Sequence, residues 1–146
     1  IVDGIHLPAS FVKSALRAKG LERSVLVTDA VMPAGCPPGD YRLGEVEVTL
    51  HPEDKVTVKG TQQLAGSALK MDVGVGKLMQ FAGLSLRDAI TLATVNAARA
   101  GRIGGRQRGL NPGERADLVE FQFDEAARRI TVLRTWLAGQ LVFERN

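Results

Sequence analysis

Two side chains that could take part in acid–base or ligand chemistry follow short apolar runs. Asp29 comes directly after residues 26–28, and His6 lies just past residues 1–4. A carboxylate at the end of an apolar strand is partly desolvated and needs a partner, such as a helix N-terminus, an arginine or a metal with its bound water. Next to a metal-bound water, Asp29 would suit the role of proton shuttle, and a cap or turn role is the alternative. A histidine in a loop, taken alone, is more often a surface or structural residue than a ligand-binding one.

The elements around these two residues predict a β-α-β unit. Residues 1–2 and 24–28 have the composition of strands, and an amphipathic stretch after Pro8 predicts a helix that ends at Gly20. The strands of such a unit are parallel, so Asp3 and Asp29 at their C-terminal ends are expected to face the same side of the sheet. Ligand sites of α/β folds lie at that side.

The remaining elements follow from turn residues and periodicity. Ser85 with Asp88 three residues later is typical of a capping box at the start of a helix, and Gly83 and Gly101 are expected to end helices. Alternation of apolar residues predicts strands in the last part of the chain, the final one folding at Gly139. The pattern predicts a loop at 32–39, a hairpin from 45–50 and 56–58, a helix from 64 to about 82, a second helix from 85, and strands at 116–121, 130–133 and 135–143.

Composition excludes several classes of protein. The 146 residues are 45% hydrophobic and 24% charged, which is typical of a folded domain. No apolar run reaches the roughly 20 residues that span a bilayer, and no signal peptide is recognisable, so we expect no membrane contact and a cytoplasmic protein. A single cysteine, Cys36, excludes an intrachain disulfide. The first residue is Ile1 and already has strand character, from which we expect the chain to be a fragment.

The charge distribution does not favour nucleic acid as a partner. The net charge is +3, but acidic and basic residues are mixed along most of the chain. The exception is a group of arginines among glycines, which we interpret as a solvated loop. The group consists of Arg99, Arg102, Arg106 and Arg108.

Five segments, in this order and spacing, resemble N-acetylglucosamine-6-phosphate deacetylases of the amidohydrolase superfamily. They are DGIHLP from Asp3, LVTDA from Leu26, MPAG from Met32, LAGSALKM from Leu64 and GLSLRDAITLATVNAARAGRIG from Gly83. The tail GLNPGERADLVEF from Gly109 is similar to the closing strands of many amidohydrolases. The resemblance covers essentially the whole chain and implies an α/β fold, the C-terminal part of a metal-dependent hydrolase (β/α)8 TIM barrel with strands of a small β-sandwich. Residues 1–108 would be barrel with an inserted hairpin near 41–59, and residues 109–146 sandwich strands.

The resemblance also implies the site. Asp29 would be the catalytic acid/base that activates a metal-bound water and then protonates the amine. His6 would contact the sugar, and the backbone of Leu64, Ala65 and Gly66 would border the substrate. The substrate implied is a small amino-sugar phosphate, and the assembly implied is a homodimer.

The implied cofactor is a divalent metal, zinc in the first place, with iron or another ion as alternatives. Its principal ligands in the family, a glutamate and two histidines, have no counterpart here and would lie upstream of the chain. Asp29 is the one candidate metal contact, and His51 in the hairpin turn is a poor one. The alternatives are another amidohydrolase, similar to a dihydroorotase or a deaminase, and a non-catalytic half-barrel module; the fragment by itself is expected to be inactive.

Overall fold

The computed structural model describes residues 1–146 and contains four α-helices, a short 3₁₀ turn and two antiparallel sheets. None of the helices combines the length and the apolar composition needed to cross a membrane. In chain order the elements are α1 (Ala9–Lys19), the 3₁₀ turn (Leu21–Arg23), β1 (Gly39–Leu43), β2 (Val46–Leu50), β3 (Lys55–Val58), β4 (Leu64–Ser67), α2 (Met71–Ala82), α3 (Leu86–Ala93), α4 (Val95–Ala100), β5 (Leu118–Asp124), β6 (Arg129–Leu137) and β7 (Gln140–Glu144).

The predicted helix ends are confirmed where local chemistry defines them. Gly83 follows α2 in the left-handed conformation at φ 70°, which glycine adopts without a steric penalty. The Ser85 side chain accepts a hydrogen bond from the Asp88 backbone N–H and donates one to the Asp88 carboxylate. Gly20 ends α1 and Gly101 ends α4. The second predicted helix is interrupted at Thr94, so that it forms α3 and α4.

The larger core lies between the first three α-helices and one face of the C-terminal sheet. Nine buried side chains form it, with partly buried residues of β5 and β6 packed against them. Val2 and Leu26 belong to this cluster, so both segments that precede the candidate site residues are anchored in the same core. The buried members are Val2, Val12, Leu26, Val75, Leu78, Met79, Ala89, Leu92 and Ile130.

Strands β1 to β4 form an antiparallel meander in sequential order. The predicted hairpin is confirmed as β2 and β3, and one further strand lies on each side of it. The inner face of this hairpin is buried and carries the side chains of Val48, Leu50 and Val56. Val31 and Ala34, from the segment after Asp29, pack against it.

Strands β5 to β7 form the second sheet, with a turn at Gly139 as predicted. The glycine- and arginine-rich stretch before β5 is irregular, as predicted, but two of its arginines are paired. The Arg106 guanidinium lies 2.5 Å from the Asp117 carboxylate, and that of Arg108 lies 2.6 Å from Glu114. Asp117 also accepts the Ala138 backbone N–H, so the loop is tied to the turn between β6 and β7.

The predicted β-α-β unit forms its helix but not its strands. Residues 1–2 and 24–29 make no strand ladder with each other. A strand requires a hydrogen-bonded neighbour, and the segment before Asp29 bonds to a helix instead: the Leu26 N–H donates to the Leu92 carbonyl at 3.1 Å. Parallel pairing occurs only as an isolated bridge between Ala30 and Ser67.

The prediction of a helix from residue 64 is wrong. Leu64–Ser67 is the last strand of the meander, pairing with β3, and α2 begins only at Met71. Gly66 has φ 89°, which is incompatible with a right-handed helix. The buried Ser67 hydroxyl accepts the Leu69 N–H and directs the chain from the strand towards the helix.

Candidate functional site

The loop that contains His6 is organised by the buried carboxylate of Asp3. Asp3 is 4% exposed, and its Oδ1 accepts the backbone N–H groups of Ile5 and His6, each at 2.9 Å. Its Oδ2 lies 2.6 Å from His6 Nδ1. Gly4 between them has φ 75°, and a Cβ there would lie 3.2 Å from the Phe81 ring, so glycine permits both the turn and the contact with α2.

The electrostatics of this pair favour an ionised aspartate. Burial alone would raise the pKa of the Asp3 carboxyl, but the hydrogen bonds from the His6 N–H, the His6 ring and the Ile5 N–H outweigh it. The pKa therefore lies below its usual value of 3.8. The Lys77 ammonium of α2 donates to the Asp3 backbone carbonyl at 2.5 Å and anchors the loop from the helix side.

Asp29 is exposed and has φ 54°, in the left-handed region that aspartate tolerates better than most residues. Its backbone carbonyl accepts the Ser67 N–H at 3.2 Å, and the Ser67 carbonyl accepts the Val31 N–H at 2.9 Å. The backbone on both sides of Ala30, directly after Asp29, is thus bonded to the end of β4. The Asp29 carboxylate has no hydrogen-bond or ion-pair partner in the chain, which leaves it accessible to a ligand and speaks against a cap role.

The structure places Gly66, the last of the predicted substrate-bordering residues, beside the segment that contains Asp29. The close approach depends on Gly66, because a Cβ at this position would lie 2.3 Å from Val31 Cγ1. Neither Leu64 nor Ala65 is fully exposed, and both belong to the strand that pairs with β3. Two of the three predicted parts of the site are therefore brought together by one parallel bridge.

His6 and Asp29 are not in direct contact. No hydrogen bond or ion pair joins them, and each is held by its own set of backbone contacts. Both residues follow segments that are anchored in the same core. Val2 precedes His6, Leu26 precedes Asp29, and these two apolar side chains pack in one cluster.

The side chains present do not make a metal site by themselves. No group of three or more histidine, cysteine, aspartate or glutamate side chains converges anywhere in the chain. His51 is engaged with the Thr57 hydroxyl at 2.9 Å inside the meander. Asp29 could supply a single oxygen ligand, which is fewer than zinc and related ions require.

Two residues with a supporting role carried no predicted function. Asp3 was expected only to end a strand, although an aspartate three residues before a histidine in a turn is a local signal for such a pair. Asn96 is buried in α4, and its amide donates to the carbonyls of Leu21 at 2.8 Å and Ser24 at 2.9 Å. It thereby fixes the segment that leads to Asp29. The signal in the sequence for such a buried, hydrogen-bonded side chain is a polar residue among apolar helix positions.

Comparison with known proteins identifies relatives along nearly the whole chain, although no family model matches it. An Escherichia coli K12 protein, provisionally named an N-acetylgalactosamine-6-phosphate deacetylase, is 36% identical over 142 residues, which are 97% of this chain and 80% of that protein. The N-acetylglucosamine-6-phosphate deacetylase of Bacillus subtilis is 35% identical over 98% of this chain, but the chain spans only 34% of it.

A solved structure shows the same fold. A variant of the Mycobacterium smegmatis N-acetyl-D-glucosamine-6-phosphate deacetylase, crystallised in complex with N-acetyl-D-glucosamine-6-phosphate, superposes with a TM-score of 0.83 at 31% identity. The match covers 96% of this chain and 36% of that protein. The chain thus spans about a third of the length of most of the relatives it matches. By its similarity to the E. coli protein over most of both sequences, the chain belongs to the family of N-acetylglucosamine-6-phosphate and N-acetylgalactosamine-6-phosphate deacetylases.

Proposed function

We propose that the enzyme containing this chain hydrolyses the N-acetyl group of N-acetylglucosamine 6-phosphate and releases glucosamine 6-phosphate and acetate. The observation that supports it is the likeness to the mycobacterial deacetylase, which holds this sugar phosphate in its crystal structure and matches 96% of the chain. An accessible carboxylate at Asp29 agrees with the chemistry that amide hydrolysis requires.

A second candidate substrate is the C4 epimer, N-acetylgalactosamine 6-phosphate. It is favoured by the E. coli K12 relative, which is named for this sugar and of which the chain spans 80%. The two substrates differ in the orientation of a single hydroxyl. Measuring kcat/KM of the purified enzyme on each epimer decides between them, and the larger value identifies the physiological sugar.

Within this chain, Asp29 is the proposed acid/base. Hydrolysis of an amide needs a base that takes a proton from the attacking water and an acid that protonates the departing amine. The Asp29 carboxylate accepts the first proton and returns it to the amine nitrogen, so one group performs both transfers. Two backbone bonds to Ser67, one at the Asp29 carbonyl and one at the Val31 N–H, fix the main chain at and directly after Asp29 and leave the carboxylate accessible.

Substrate contact is proposed for His6 and for the backbone of Leu64, Ala65 and Gly66. The position of Gly66 beside the Asp29 segment supports this assignment, because a sugar bound along β4 would lie close to the acid/base.

A divalent metal, zinc or iron or another such ion, would polarise the acetyl carbonyl and help to ionise the water when bound. The residues of this chain do not fit a complete site, since they offer no set of three ligands. We therefore assign metal binding to the rest of the enzyme and propose that residues 1–146 alone give no turnover. Measuring deacetylation and metal content of this piece tests the assignment; turnover with bound stoichiometric metal contradicts it.

The architecture proposed for the whole enzyme is a (β/α)8 barrel, to which residues 1–108 contribute, beside a small β-sandwich to which residues 109–146 contribute. Exposed apolar side chains support it, because Val27 before Asp29 is 46% exposed and Val142 on β7 is 58% exposed. Further strands would cover both surfaces. We also propose that the whole enzyme is a homodimer and is located in the cytoplasm.

The decisive experiment compares two identical substitutions in the whole enzyme. Asp29→Asn keeps the size and the left-handed backbone conformation but cannot accept the proton, so kcat should fall by about 100-fold or more. Asp54→Asn is the matched control, because Asp54 is also exposed and has φ 60° in the turn between β2 and β3. A near-normal kcat for Asp29→Asn would contradict the acid/base role of Asp29.

His6→Asn should chiefly weaken substrate use. We expect kcat/KM to fall, and His51→Asn, which changes a histidine of the meander, should leave kcat/KM unaltered. An unchanged kcat/KM for His6→Asn would count against contact with the sugar.

A further inference from the structure

The two oxygens of the Asp3 carboxylate have separate roles. Oδ1 accepts the backbone N–H groups of Ile5 and His6 and so shapes the turn, whereas Oδ2 bonds only to the imidazole, 2.6 Å from Nδ1. The turn therefore does not need Oδ2. A carboxylate directed at one ring nitrogen in this way points to a function in the orientation of the ring.

The chemistry of the pair defines the tautomer of His6. An ionised carboxylate accepts hydrogen bonds and cannot donate them, so the nitrogen that faces it carries a proton. In neutral imidazole the other nitrogen, Nε2, is then an acceptor. The His6 side chain is 22% exposed, whereas that of Asp3 is 5% exposed, so a ligand can reach the ring while the pair remains shielded.

We infer that Asp3 is a positioning residue that holds the proton of His6 on Nδ1, so that Nε2 accepts a hydrogen bond from a hydroxyl of the substrate. The tautomer depends only on the contacts described above; the hydroxyl as donor rests on the proposed function. A phosphate or carboxylate of a ligand does not fit this nitrogen, because both groups lack a hydrogen to donate when ionised.

Groups around the pair support a fixed, ionised Asp3. Its carboxyl is buried, and its pKa lies below the usual value because the carboxylate accepts hydrogen bonds from three N–H groups. The Lys77 ammonium bonds to the backbone carbonyl of Asp3 and not to its side chain, so it anchors the loop without competing with His6 for the carboxylate. No other carboxylate forms a hydrogen bond or ion pair with the His6 ring.

Asp3→Asn separates the role in the turn from the role towards the ring. The asparagine keeps one carbonyl oxygen for the backbone N–H groups of Ile5 and His6, while an amide NH₂ replaces Oδ2. Since an NH₂ group donates, it should bond to an unprotonated Nδ1, and the proton of the ring should move to Nε2. The substitution thus changes the tautomer with little change in shape.

The first measurement is the ¹⁵N spectrum of the histidine-labelled whole enzyme in alkaline solution, in which the His6 signals are identified by their loss in His6→Gln. Wild-type His6 should show a protonated Nδ1 and an unprotonated Nε2, and Asp3→Asn should show the reverse. A wild-type ring with its proton on Nε2, or a variant with the wild-type pattern, would overturn the inference. The wild-type spectrum is decisive even if the variant does not fold.

The second measurement is kinetic. Asp3→Asn should lower kcat/KM about tenfold, the effect of losing one hydrogen bond to the substrate, and should add little to the effect of His6→Gln. Asp54→Asn is the control and should match the wild type. Unaltered kcat/KM despite a switched tautomer would overturn the assigned hydroxyl contact. Failure of the proposed function is recognised separately, because neither sugar phosphate would then be hydrolysed by the wild-type enzyme.

Discussion

Substitution of Gly76 should reveal how closely α2 approaches the C-terminal sheet. A Cβ at Gly76 would lie 2.2 Å from the backbone carbonyl oxygen of Arg128, in the turn between β5 and β6. A carbonyl in a turn cannot rotate away as a flexible side chain can, so the helix or the turn must shift. Gly74, two residues earlier in the same helix, is also buried, but its Cβ would meet only side chains, Leu69 Cδ2 at 3.2 Å and Leu26 Cδ2 at 3.8 Å.

The magnitude follows from two opposing effects. Replacing a glycine in a helix interior with alanine stabilises the helix by up to about 1 kcal/mol, and this gain applies to both positions. Overpacking in a core costs about 1–3 kcal/mol, and the contact of Gly76 with backbone places it towards the upper end. Gly76→Ala should therefore lower the free energy of unfolding by about 1–2 kcal/mol, while Gly74→Ala should stay within about 1 kcal/mol of the wild type.

Thermal unfolding followed by circular dichroism measures the difference. For a protein of this size, 1 kcal/mol corresponds to a Tm shift of about 2–4 °C, so Gly76→Ala should unfold about 2–8 °C below the wild type. Gly74→Ala controls for helix propensity. Equal Tm values for the two variants would refute the close approach of α2 to the carbonyl of Arg128.

Three further outcomes are expected. Asn96→Ala leaves two carbonyls without their donor and should lower the free energy of unfolding by about 2–4 kcal/mol in urea titration; a loss below about 0.5 kcal/mol would contradict the bonds described. Gly66→Ala should destabilise the protein, and adding Val31→Ala should recover only the steric part, because the cost of φ 89°, about 1–2 kcal/mol, remains. Asp3 has a lower pKa in the folded than in the unfolded state, so its contribution to stability is present above pH 3.8 and is lost as the pH falls from there through the folded pKa. Urea midpoints measured down this acid range should decrease less steeply in Asp3→Asn than in the wild type.

The helices could be predicted from the sequence because their ends are defined locally. Gly20 and Gly83 end helices, and Ser85 with Asp88 begins one, through contacts within a few residues. The meander was only half predicted, since β2 and β3 alternate clearly while β4 has the composition of a helix. What makes Leu64–Ser67 a strand is its pairing with β3 and with the Asp29 segment, and local propensity does not contain this information.

The site shows the same division between local and distant contacts. The bond between Asp3 and His6 spans three residues and was accessible to sequence reasoning, although only the histidine was assigned a role. By contrast, Asn96 and Ser24 are separated by 72 residues, and nothing in either segment indicates that they meet. The predicted strands at residues 1–2 and 24–28 failed for a related reason, because strand formation depends on a neighbour that local sequence does not supply.

The position of Asp29 is determined by bonds from two sides and not by a strand ladder. On the helical side, the Leu92 carbonyl accepts the Leu26 N–H and the Asn96 amide donates to the Ser24 carbonyl. On the other side, the Ser67 N–H donates to the Asp29 carbonyl itself. Because Ser67 ends the strand that contains the proposed substrate-bordering residues, any displacement of β4 also displaces Asp29, the proposed acid/base. The backbone therefore maintains the distance between the proposed substrate-bordering strand and the proposed acid/base, whose carboxylate has no partner in the chain.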